Sequence, residues 1–394
     1  MKSKTLAIGV VMGLGLSGAA EANDAETLRQ LKAQVAAMQA QIEALEQRLK
    51  EQEQNVGKVA QTGKKAGKQP KAVQVYGQIR VSADHKSGDW SGGEGTEIAS
   101  NASRLGVKGQ LATALEGTSL FYQAEVRYET TDFVNGGPGT TTGTKQLEFR
   151  EGYGGLKGSW GKFRMGRLNV GYKKTGTKID PWTDNVPQAR AGGRQGMSEF
   201  HSSYFNNAVE YETPRLLDGL KANFWASSRF NGSSKPLHNT GTLKNYVGGQ
   251  AYGLGAKYAK GPIFVGADWL KIDAETINKT GLANDSGWQI GGRYTFGAFS
   301  VAAFYEDVKD LGLGRNTYVN AIYKTGRLRI IGAYGQNRDG TVYGNKDWND
   351  WSLGVKYNLT KKSELLAAWN SRRDDTANKD FNTLTVGFNA KFGY

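Results

Sequence analysis

From residue 73 to residue 394 the sequence alternates apolar and polar residues, and this period of two constrains the fold more than any other feature. The first such stretch places Val73, Val75, Ile79 and Val81 between polar neighbours, and the last, "TLTVGFNAKFGY", covers residues 383–394. A period of two is typical of a β-strand, whose successive side chains point to opposite faces. The pattern therefore predicts a long all-β region.

The connections between these strands alternate in length along the chain. Seven are tight turns, at residues 113–118, 157–162, 213–219, 259–262, 295–300, 324–327 and 359–363, and eight are longer and polar, centred near residues 92, 137, 187, 240, 279, 311, 343 and 376. Fifteen connections join sixteen strands, which leaves about 20 residues for each strand and its connection, enough for tilted strands of about 9–11 residues that cross a membrane. The sequence predicts a 16-stranded antiparallel transmembrane β-barrel, because a soluble sandwich has no reason to sort its loops by length.

The last strand carries an apolar stripe that ends at Tyr394. A barrel with an even number of strands closes by pairing its last strand with its first, so that no strand edge remains. We therefore expect Tyr394 to belong to this ladder and to face lipid at the membrane boundary, where tyrosine is favoured.

Composition agrees with a β-barrel and excludes several other classes. The chain contains 18 Tyr, 15 Phe and 9 Trp beside 54 Gly and 7 Pro, its mean hydropathy is −0.55, and it has no cysteine. After the first 20 residues no apolar run approaches the ~18 residues that a transmembrane helix needs. Without cysteine there is neither a disulfide framework nor thiolate chemistry.

The N-terminal residues read as three segments before the barrel at 72–394. Residues 1–22 have two lysines, an apolar stretch and an Ala-Glu-Ala end, as in a secretory signal peptide. Residues 23–56 contain apolar positions spaced alternately by 3 and 4, which predicts a short α-helical coiled coil; the alternative is one amphipathic helix lying on the body. This seam is formed by Leu28, Leu31, Val35, Met38, Ile42, Leu45 and Leu49. Residues 57–71, with five lysines and several glycines, predict a flexible basic linker.

The formal charge of +14 resides mainly in the predicted barrel. The signal segment carries +1, residues 23–56 carry −2 and residues 57–71 carry +5, which leaves +10 for residues 72–394. Lys and Arg stand singly between apolar residues there, without a basic run or a nucleic-acid motif, so no nucleic-acid partner is expected.

Three stretches and their order resemble the general porins of Gram-negative outer membranes: "VQVYGQIRVS", "SNASRLGVKG" and "FREGYGGLKGSWGKFRMGRLN". The resemblance covers residues 72–394, although the family usually ends in Phe and lacks the coil. It implies a water-filled, trimeric channel for small hydrophilic solutes in the cell outer membrane, in contact with lipid and lipopolysaccharide and with the coil in the periplasm. It also implies that the longest connection, 168–205, folds back to narrow the pore, with its acids opposite wall arginines.

Carried over position by position, the resemblance implies a basic wall and an acidic loop. The wall arginines are Arg80, Arg104, Arg150, Arg164 and Arg167, and the loop acids are Asp180, Asp184 and Glu199. Alternation turns Arg80, Arg104, Arg150 and Arg164 inward, whereas Arg167 would face outward unless a bulge intervenes. The loop also holds five basic residues, so its three acids are outnumbered. We therefore predict a modest preference for anions.

Two other function classes, an enzyme and an envelope anchor, are alternatives to a channel. An enzyme would need a nucleophile with a placed base, but the chain has only His85, His201 and His238, and no Gly-x-Ser-x-Gly motif surrounds Ser202 or Ser203. The histidine spacing matches no metal-site motif, and no cofactor or catalytic residue is expected. The coil and linker could instead bind the cell wall, with peptidoglycan as partner and the barrel as anchor; the coil alone does not decide between dimer and trimer.

Overall fold

The computed structural model describes residues 71–131, 147–228, 246–247, 249–273, 276–277, 284–341 and 347–393, and also Ala36, Ala40, Glu43, Ala44 and Gln47. The chain divides into two units, Met1–Gln69 and Pro70–Tyr394. In the first unit, the five described residues are helical and exposed. The signal segment, the coiled-coil seam and residues 57–70 of the linker lie outside the described residues, and these assignments stay predictions.

The second unit contains sixteen strands that alternate in direction. They are β1 Gln74–Gly88, β2 Gly95–Ser100 with Arg104–Ala112, β3 Ser119–Tyr128, β4 Leu147–Gly158, β5 Gly161–Leu168, β6 Phe205–Glu212, β7 Leu220–Ser227, β8 Gln250–Lys260, β9 Ile263–Asp273, β10 Asn284–Phe296, β11 Phe299–Asp307, β12 Arg315–Thr325, β13 Leu328–Arg338, β14 Trp348–Asn358, β15 Ser363–Asp374 and β16 Lys379–Phe392. Strand β2 has two parts because Ala102, with a φ of 58°, interrupts it, and both parts pair with β1.

The barrel closes through the pairing of β16 with β1. Each strand pairs antiparallel with the next in sequence, and the register of the closing pair runs from Gly77 opposite Phe392 to Gly88 opposite Phe381. Closure satisfies the backbone groups of both terminal strands, which an edge inside a membrane would leave unpaired. The predicted 16-stranded antiparallel barrel is therefore confirmed, while Tyr394 itself lies outside the described residues.

The strand connections lie where the sequence predicts them, but two of the eight predicted long ones, 89–94 and 375–378, are short because β1 and β16 continue for 15 and 14 residues. The seven short ones include residues 159–160, 261–262, 297–298 and 326–327, and the longest connection, 169–204, joins β5 to β6. Two further short strands, Tyr246–Val247 and Thr276–Ile277, pair with each other within the long connections after β7 and β9. No helix in the described residues has the length and apolar character needed to span a membrane.

The outer face of the barrel is apolar and is bordered by aromatic rings. Exposed side chains such as Leu254, Val265, Ile290, Val301 and Val319 form its centre. Near the short turns, Phe299 packs against Phe296 and Tyr323, and at the other rim Trp351 packs against Trp369. Aromatic residues at both boundaries of an apolar band are typical of a transmembrane barrel.

Two irregularities change which residues face the lumen. Opposite Glu125 and Val126 of β3, strand β4 pairs through Glu151 and Phe149, so Arg150 is the extra residue of a β-bulge. The pairing of β5 with β6 also shifts, between Gly166 and Leu168. Gly166 has a φ of 139°, and a Cβ there would lie 2.1 Å from the Gly152 carbonyl oxygen, so the turn of the backbone at this point requires glycine.

Candidate functional site

Residues 169–204, here called the constriction loop, fold against the inner wall of the barrel. The loop begins with a helix, α1 Gly171–Ile179, and its later part contains two single helical turns, Ala191–Gly193 and Glu199–His201. Most of its residues are buried, although the loop is rich in polar groups. Buried backbone carbonyls need donors, and side chains of the wall supply them.

Six wall side chains donate hydrogen bonds to carbonyl oxygens of residues 171–183 of the loop. The pairs are Lys257 Nζ to Gly171 at 2.9 Å, Gln289 Nε2 to Tyr172 at 2.6 Å, Arg293 Nη1 to Lys178 at 3.0 Å, Asn320 Nδ2 to Ile179 at 3.1 Å, Lys356 Nζ to Pro181 at 2.9 Å and Arg80 Nη1 to Thr183 at 2.8 Å. These donors come from strands around much of the barrel. They fasten α1 and the segment after it to the wall, each with a net stabilisation of roughly 1 kcal/mol, more for the charged donors.

A second anchor of the loop is the carboxylate of Glu306 on β11. It accepts hydrogen bonds from Tyr172 Oη at 2.8 Å, from Ser198 N at 2.9 Å and from Ser198 Oγ at 2.8 Å, and it lies 3.2 Å from His201 Nε2. Glu306 and His201 are fully buried. Several donors on one buried carboxylate compensate its desolvation, so this residue holds both ends of the loop together.

The far side of the loop lies directly on strand β13. A Cβ at Gly335 would lie 2.2 Å from the carbonyl oxygen of Gln195, 2.6 Å from its carbonyl carbon and 3.0 Å from Cα of Gly196. Only glycine permits two backbones to approach this closely. Beside this crossing, Gln195 Nε2 donates to Asn370 Oδ1 at 3.1 Å.

The predicted loop acid Asp184 lies among arginines of the wall and the loop. Arg104 Nη2 donates to Asp184 Oδ2, Arg190 Nη2 donates to Asp184 Oδ1, and Arg80 Nη1 lies 3.7 Å from Asp184 Oδ2. These side chains expose between 7% and 15% of their surface. The loop acids were expected to face the wall arginines across an opening, whereas Asp184 contacts Arg104 directly.

Glu125 on β3 completes this group, and it is not among the site residues predicted from the sequence. Its Oε1 accepts from Arg150 Nε at 2.8 Å and lies 3.6 Å from Arg104 Nη1, while Tyr76 Oη donates to its Oε2 at 3.0 Å. The sequence feature that could have indicated Glu125 is the alternation in "FYQAEVRYE", which turns its side chain towards the lumen. We call Arg80, Arg104, Arg150, Arg190, Glu125 and Asp184 the arginine cluster.

The arginine cluster continues onto the ring of Tyr204 at the end of the loop. The guanidinium carbons of Arg150 and Arg167 lie 5.3 and 5.2 Å from the ring centroid, and Lys173 Nζ lies 3.7 Å from it. Strict alternation would turn Arg167 outward. The register shift between Gly166 and Leu168 turns it inward instead, where it reaches this ring. Burial lowers the pKa of Lys173 well below its usual range, and Arg190 and Arg150 lower it further.

The other predicted residues belong to separate groups. Arg164 faces inward but bonds Glu210, with Nε 2.7 Å from Oε2, and its Nη2 donates to the Asn169 carbonyl at 2.6 Å. Asp180 accepts from Trp182 N at 2.8 Å and from Ala189 N at 3.1 Å, so it shapes the loop from within. Glu199 is buried at the start of the turn Glu199–His201.

The charge state of Asp184 follows from its neighbours. Burial alone would raise the pKa of this carboxyl, but Arg104, Arg190 and Arg80 together hold it well below its usual range. A depressed pKa means that the ionised form stabilises the folded loop. That stabilisation is fully present above the ordinary aspartate pKa of about 4 and is lost only as the pH falls towards the lower folded value.

We predict that Asp184→Asn raises the anion preference and the open-channel current noise. The amide keeps the shape but leaves Arg80, Arg104 and Arg190 without their shared carboxylate, and the loss of one partner of a buried ion pair costs about 3–5 kcal/mol. In single-channel recordings, the difference between variant and wild type in anion preference and in current noise should be constant from pH 7 to about pH 4. Below about pH 4 this difference should become smaller.

The control for this prediction is Asp218→Asn, which removes an equal charge from a short turn where the side chain is 75% exposed. It should leave noise and selectivity unchanged. A difference between Asp184→Asn and wild type that vanished between pH 6 and pH 5 would contradict the depressed pKa.

The described histidines occupy structural positions. His201 and Ser198 both contact the Glu306 carboxylate and are fully buried, so no solute reaches them. His85 Nδ1 lies 3.0 Å from Thr96 Oγ1 near the external rim, and His238 lies outside the described residues. Across the ranges that the structure covers, no three His, Asp or Glu side chains come together as a metal site.

Outer membrane proteins of two other bacteria are similar to this chain in sequence. The chain is 24% identical to an outer membrane porin protein of Bordetella pertussis, over 73% of this chain and 81% of that protein. It is 26% identical to the major outer membrane protein P.IB of Neisseria gonorrhoeae, over 75% of this chain and 88% of that one.

Solved structures share the barrel fold at low identity. An anion-selective porin from Comamonas acidovorans aligns with a TM-score of 0.62 and 16% identity, over 81% of this chain and 99% of that one. The trimer form of OmpT, an outer membrane protein of Vibrio cholerae, aligns with a TM-score of 0.54 and 14% identity, over 81% and 99% of the two chains.

The family model described as Gram-negative porin matches residues 17–391, which covers the strands β1 to β15 and all but the last residue of β16. The family match, the closed barrel and the similar sequences all indicate a channel in the outer membrane. The chain belongs to the Gram-negative porin family, and it is a transmembrane β-barrel channel of the bacterial outer membrane.

Proposed function

We propose that this porin forms a trimeric, water-filled channel for the passive diffusion of small hydrophilic solutes, with a modest preference for small anions. The observation that carries the preference is the composition of the arginine cluster. Arg80, Arg104, Arg150 and Arg190 stand against only Glu125 and Asp184, which gives the cluster two net positive charges. A positive potential at a narrow point of a channel concentrates anions and repels cations.

The proposed site residues divide by their contacts. Arg80, Arg104, Arg150 and Asp184 belong to the arginine cluster, and Arg167 adjoins it through Tyr204. Arg164 is compensated by Glu210, which also lies 3.1 Å from Lys174 Nζ, and by Glu151 at 3.8 Å. We therefore assign the anion preference to the first group, with Arg190 and Glu125 added to it, and a structural role to Arg164, Asp180 and Glu199.

The anion-selective porin from Comamonas acidovorans supports the direction of this proposal through its shared fold. The opposing argument is that part of the positive charge lies at the external rim, where it would attract anionic lipopolysaccharide and not act on the pore. Arg315 and Arg373, for example, lie near the external rim and are 44% and 45% exposed. The arginine cluster is different because it is buried against the constriction loop, where screening by salt is weaker.

The test of the proposed selectivity is the reversal potential of the wild-type channel in a planar bilayer across a KCl gradient. We expect a potential of the sign that indicates chloride preference, larger at low salt because the Debye length is about 30 Å at 0.01 M and about 10 Å at 0.1 M. A potential that indicates potassium preference at both salt concentrations would refute the proposal.

The proposed trimer is supported by the trimer form of OmpT among the similar structures and by the predicted coil, whose apolar seam needs partner helices. We propose that the coil at 23–56 lies in the periplasm and that it joins three subunits, with the basic linker as a tether that peptidoglycan could engage. Cross-linking of a Met38→Cys variant tests this directly. A disulfide joins subunits only in pairs, so the native trimer should be identified by size-exclusion chromatography with light scattering. If only dimers or monomers are found there, the proposed trimer is contradicted.

A further inference from the structure

Three aromatic rings surround one arginine at the external end of the lumen. The guanidinium carbon of Arg372 lies 5.2 Å from the ring centroid of Trp348, 5.2 Å from that of Phe381 and 5.3 Å from that of Trp90. Trp90 and Phe381 meet edge to face at 5.3 Å, and Trp348 lies 5.9 Å from Phe381. We call these four side chains the aromatic–arginine site.

The site is built from four different parts of the barrel wall. Trp90 comes from the connection between β1 and β2, where its Nε1 donates to the Asn382 carbonyl at 3.0 Å. Trp348 begins β14, Arg372 lies near the end of β15, and Phe381 lies near the start of β16. Trp348 is 3% exposed, whereas Trp90 and Phe381 are half-buried and retain accessible ring surface. A rigid, partly open platform results.

Arg372 retains unused hydrogen-bonding capacity. Its Nε is buried and has no hydrogen-bond partner within the part of the chain that the structure describes. The nearest cross-strand carboxylate, Asp350, accepts hydrogen bonds from Asn370 Nδ2 at 3.1 and 2.9 Å. Cation–π contacts hold the guanidinium in place but do not satisfy its donors. An acceptor that approaches Arg372 from the lumen therefore meets a fixed, incompletely bonded cation.

Charged side chains of both signs surround the site, and the cations are the ones that lie against its rings. Arg194 of the constriction loop places its guanidinium carbon 4.9 Å from the Trp348 ring, and Lys86 places its Nζ 5.2 Å from the Trp90 ring. Glu97 lies against Lys86, 2.5 Å from its Nζ, Asp350 lies opposite Arg372 in the pairing of β14 with β15, and Asp374 is a second carboxylate close to Arg372. Three cations therefore lie against the rings, and the carboxylates lie beside Lys86 and Arg372.

We propose that the aromatic–arginine site binds small aromatic carboxylates of the size of benzoate before they pass the constriction loop. A planar guanidinium pairs with a carboxylate through two parallel hydrogen bonds, and the flat aromatic ring of such a ligand stacks on the accessible faces of Trp90 and Phe381. An aliphatic carboxylate of the same charge gains the ion pair but not the ring stacking. This inference rests on the proposed passage of anions for the route by which the ligand arrives.

The test compares three carboxylates by isothermal titration calorimetry on the detergent-purified full-length protein. We expect benzoate to bind about 2- to 13-fold more tightly than cyclohexanecarboxylate, which has the same charge and similar size, because an aromatic pair contributes about 0.5–1.5 kcal/mol. Acetate should bind more weakly than both. Equal affinities for benzoate and cyclohexanecarboxylate in the wild type would overturn the proposal without any variant.

Variants locate the binding. Arg372→Gln should abolish the benzoate preference, and Trp90→Leu, in an external connection, should lower benzoate affinity about 5-fold while acetate affinity stays unchanged. The matched control is Arg373→Gln, which removes the neighbouring charge, paired with Asp380 at 2.9 Å on the opposite face. A loss of binding in Arg373→Gln as large as in Arg372→Gln would refute the assigned site.

Calorimetry separates this proposal from the proposed anion preference. Because binding is measured without current, tight benzoate binding by a channel whose reversal potential indicates potassium preference would refute the selectivity and support the site. Chloride preference with no benzoate preference would refute the site and leave the selectivity intact.

Discussion

Replacing Arg104 and Arg150 together by alanine is expected to shift the chloride-to-potassium permeability ratio towards potassium by about tenfold or more. The two side chains supply half of the guanidinium groups in the arginine cluster, and both contact Glu125. In the double variant Glu125 keeps the Tyr76 hydroxyl, and Asp184 keeps Arg190 and Arg80. The cluster then holds two cations and two carboxylates, so its net charge becomes zero.

The size of the shift follows from simple electrostatics. A unit charge about 10 Å from a permeating ion acts on it with roughly 0.4 kcal/mol in the dielectric of water and roughly 1.7 kcal/mol at an effective dielectric of 20. Two charges are removed, and their effects on an anion and a cation have opposite signs, so the ratio responds to about four times the single value. Even with the dielectric constant of water, this sum corresponds to a change of about tenfold in the permeability ratio.

The measurement is the reversal potential across a KCl gradient, at low and at high salt. The matched control is Arg315→Ala with Arg373→Ala, which removes the same net charge from exposed positions at the external rim. We expect little change in the control, because charges in water beyond the Debye length are screened. An unchanged ratio in the Arg104 and Arg150 double variant would show that these arginines do not set the selectivity.

The barrel could be predicted from the sequence because its signal is repeated sixteen times. The alternation of one strand is weak evidence, but each strand is followed by a connection at a predicted position, and every such pair tests the same hypothesis. The lipid face adds a second constraint, since a one-residue slip would move every apolar side chain of a strand into the lumen. Strand number and order were therefore accessible without a structure.

The details of the candidate site were less accessible, because they depend on local departures from the period of two. Alternation turns Arg150 inward, but only the bulge at this residue also brings Glu151 inward, 3.8 Å from Arg164 Nη1. Arg167 is the clearest case, since strict counting turns it to the lipid and the irregularity at Gly166 brings it to Tyr204. The interruption of β2 at Ala102 is equally local, and it places Ser103 Oγ 3.0 Å from the Arg80 backbone nitrogen.

The path of the constriction loop depends on contacts between residues far apart in sequence. Its length identifies it, but its composition does not show that Asp184 would meet Arg104 or that Glu306 would hold Tyr172 and Ser198. Glu125 and Arg190 illustrate the difficulty, because both are polar residues in expected places whose importance comes only from their neighbours. Three-dimensional pairing of charges carries information that no single segment contains.

Placing an arginine on the lipid face of the closing strand should prevent normal assembly of the barrel. Val386 lies near the middle of β16, opposite Ala83 of β1 and Ala367 of β15, and it is 56% exposed on the outer face. Arginine near the bilayer midplane of a transmembrane barrel costs about 2–4 kcal/mol. Because β16 closes the ladder with β1, the penalty falls on the pairing that leaves no edge exposed.

We therefore expect Val386→Arg to reduce strongly the heat-modifiable band in unheated gel electrophoresis of outer membranes, and to lower the urea concentration at the unfolding midpoint of protein refolded into vesicles. Val386→Leu, which keeps an apolar side chain on the same face, should behave as wild type. The lumen side of the same strand already carries a cation, Lys391, so positive charge on β16 is not harmful in itself. What matters is the face, because water in the lumen solvates a charge that hydrocarbon does not. A Val386→Arg variant with wild-type amounts of folded barrel and an unchanged unfolding midpoint would show that this face does not contact the hydrocarbon core.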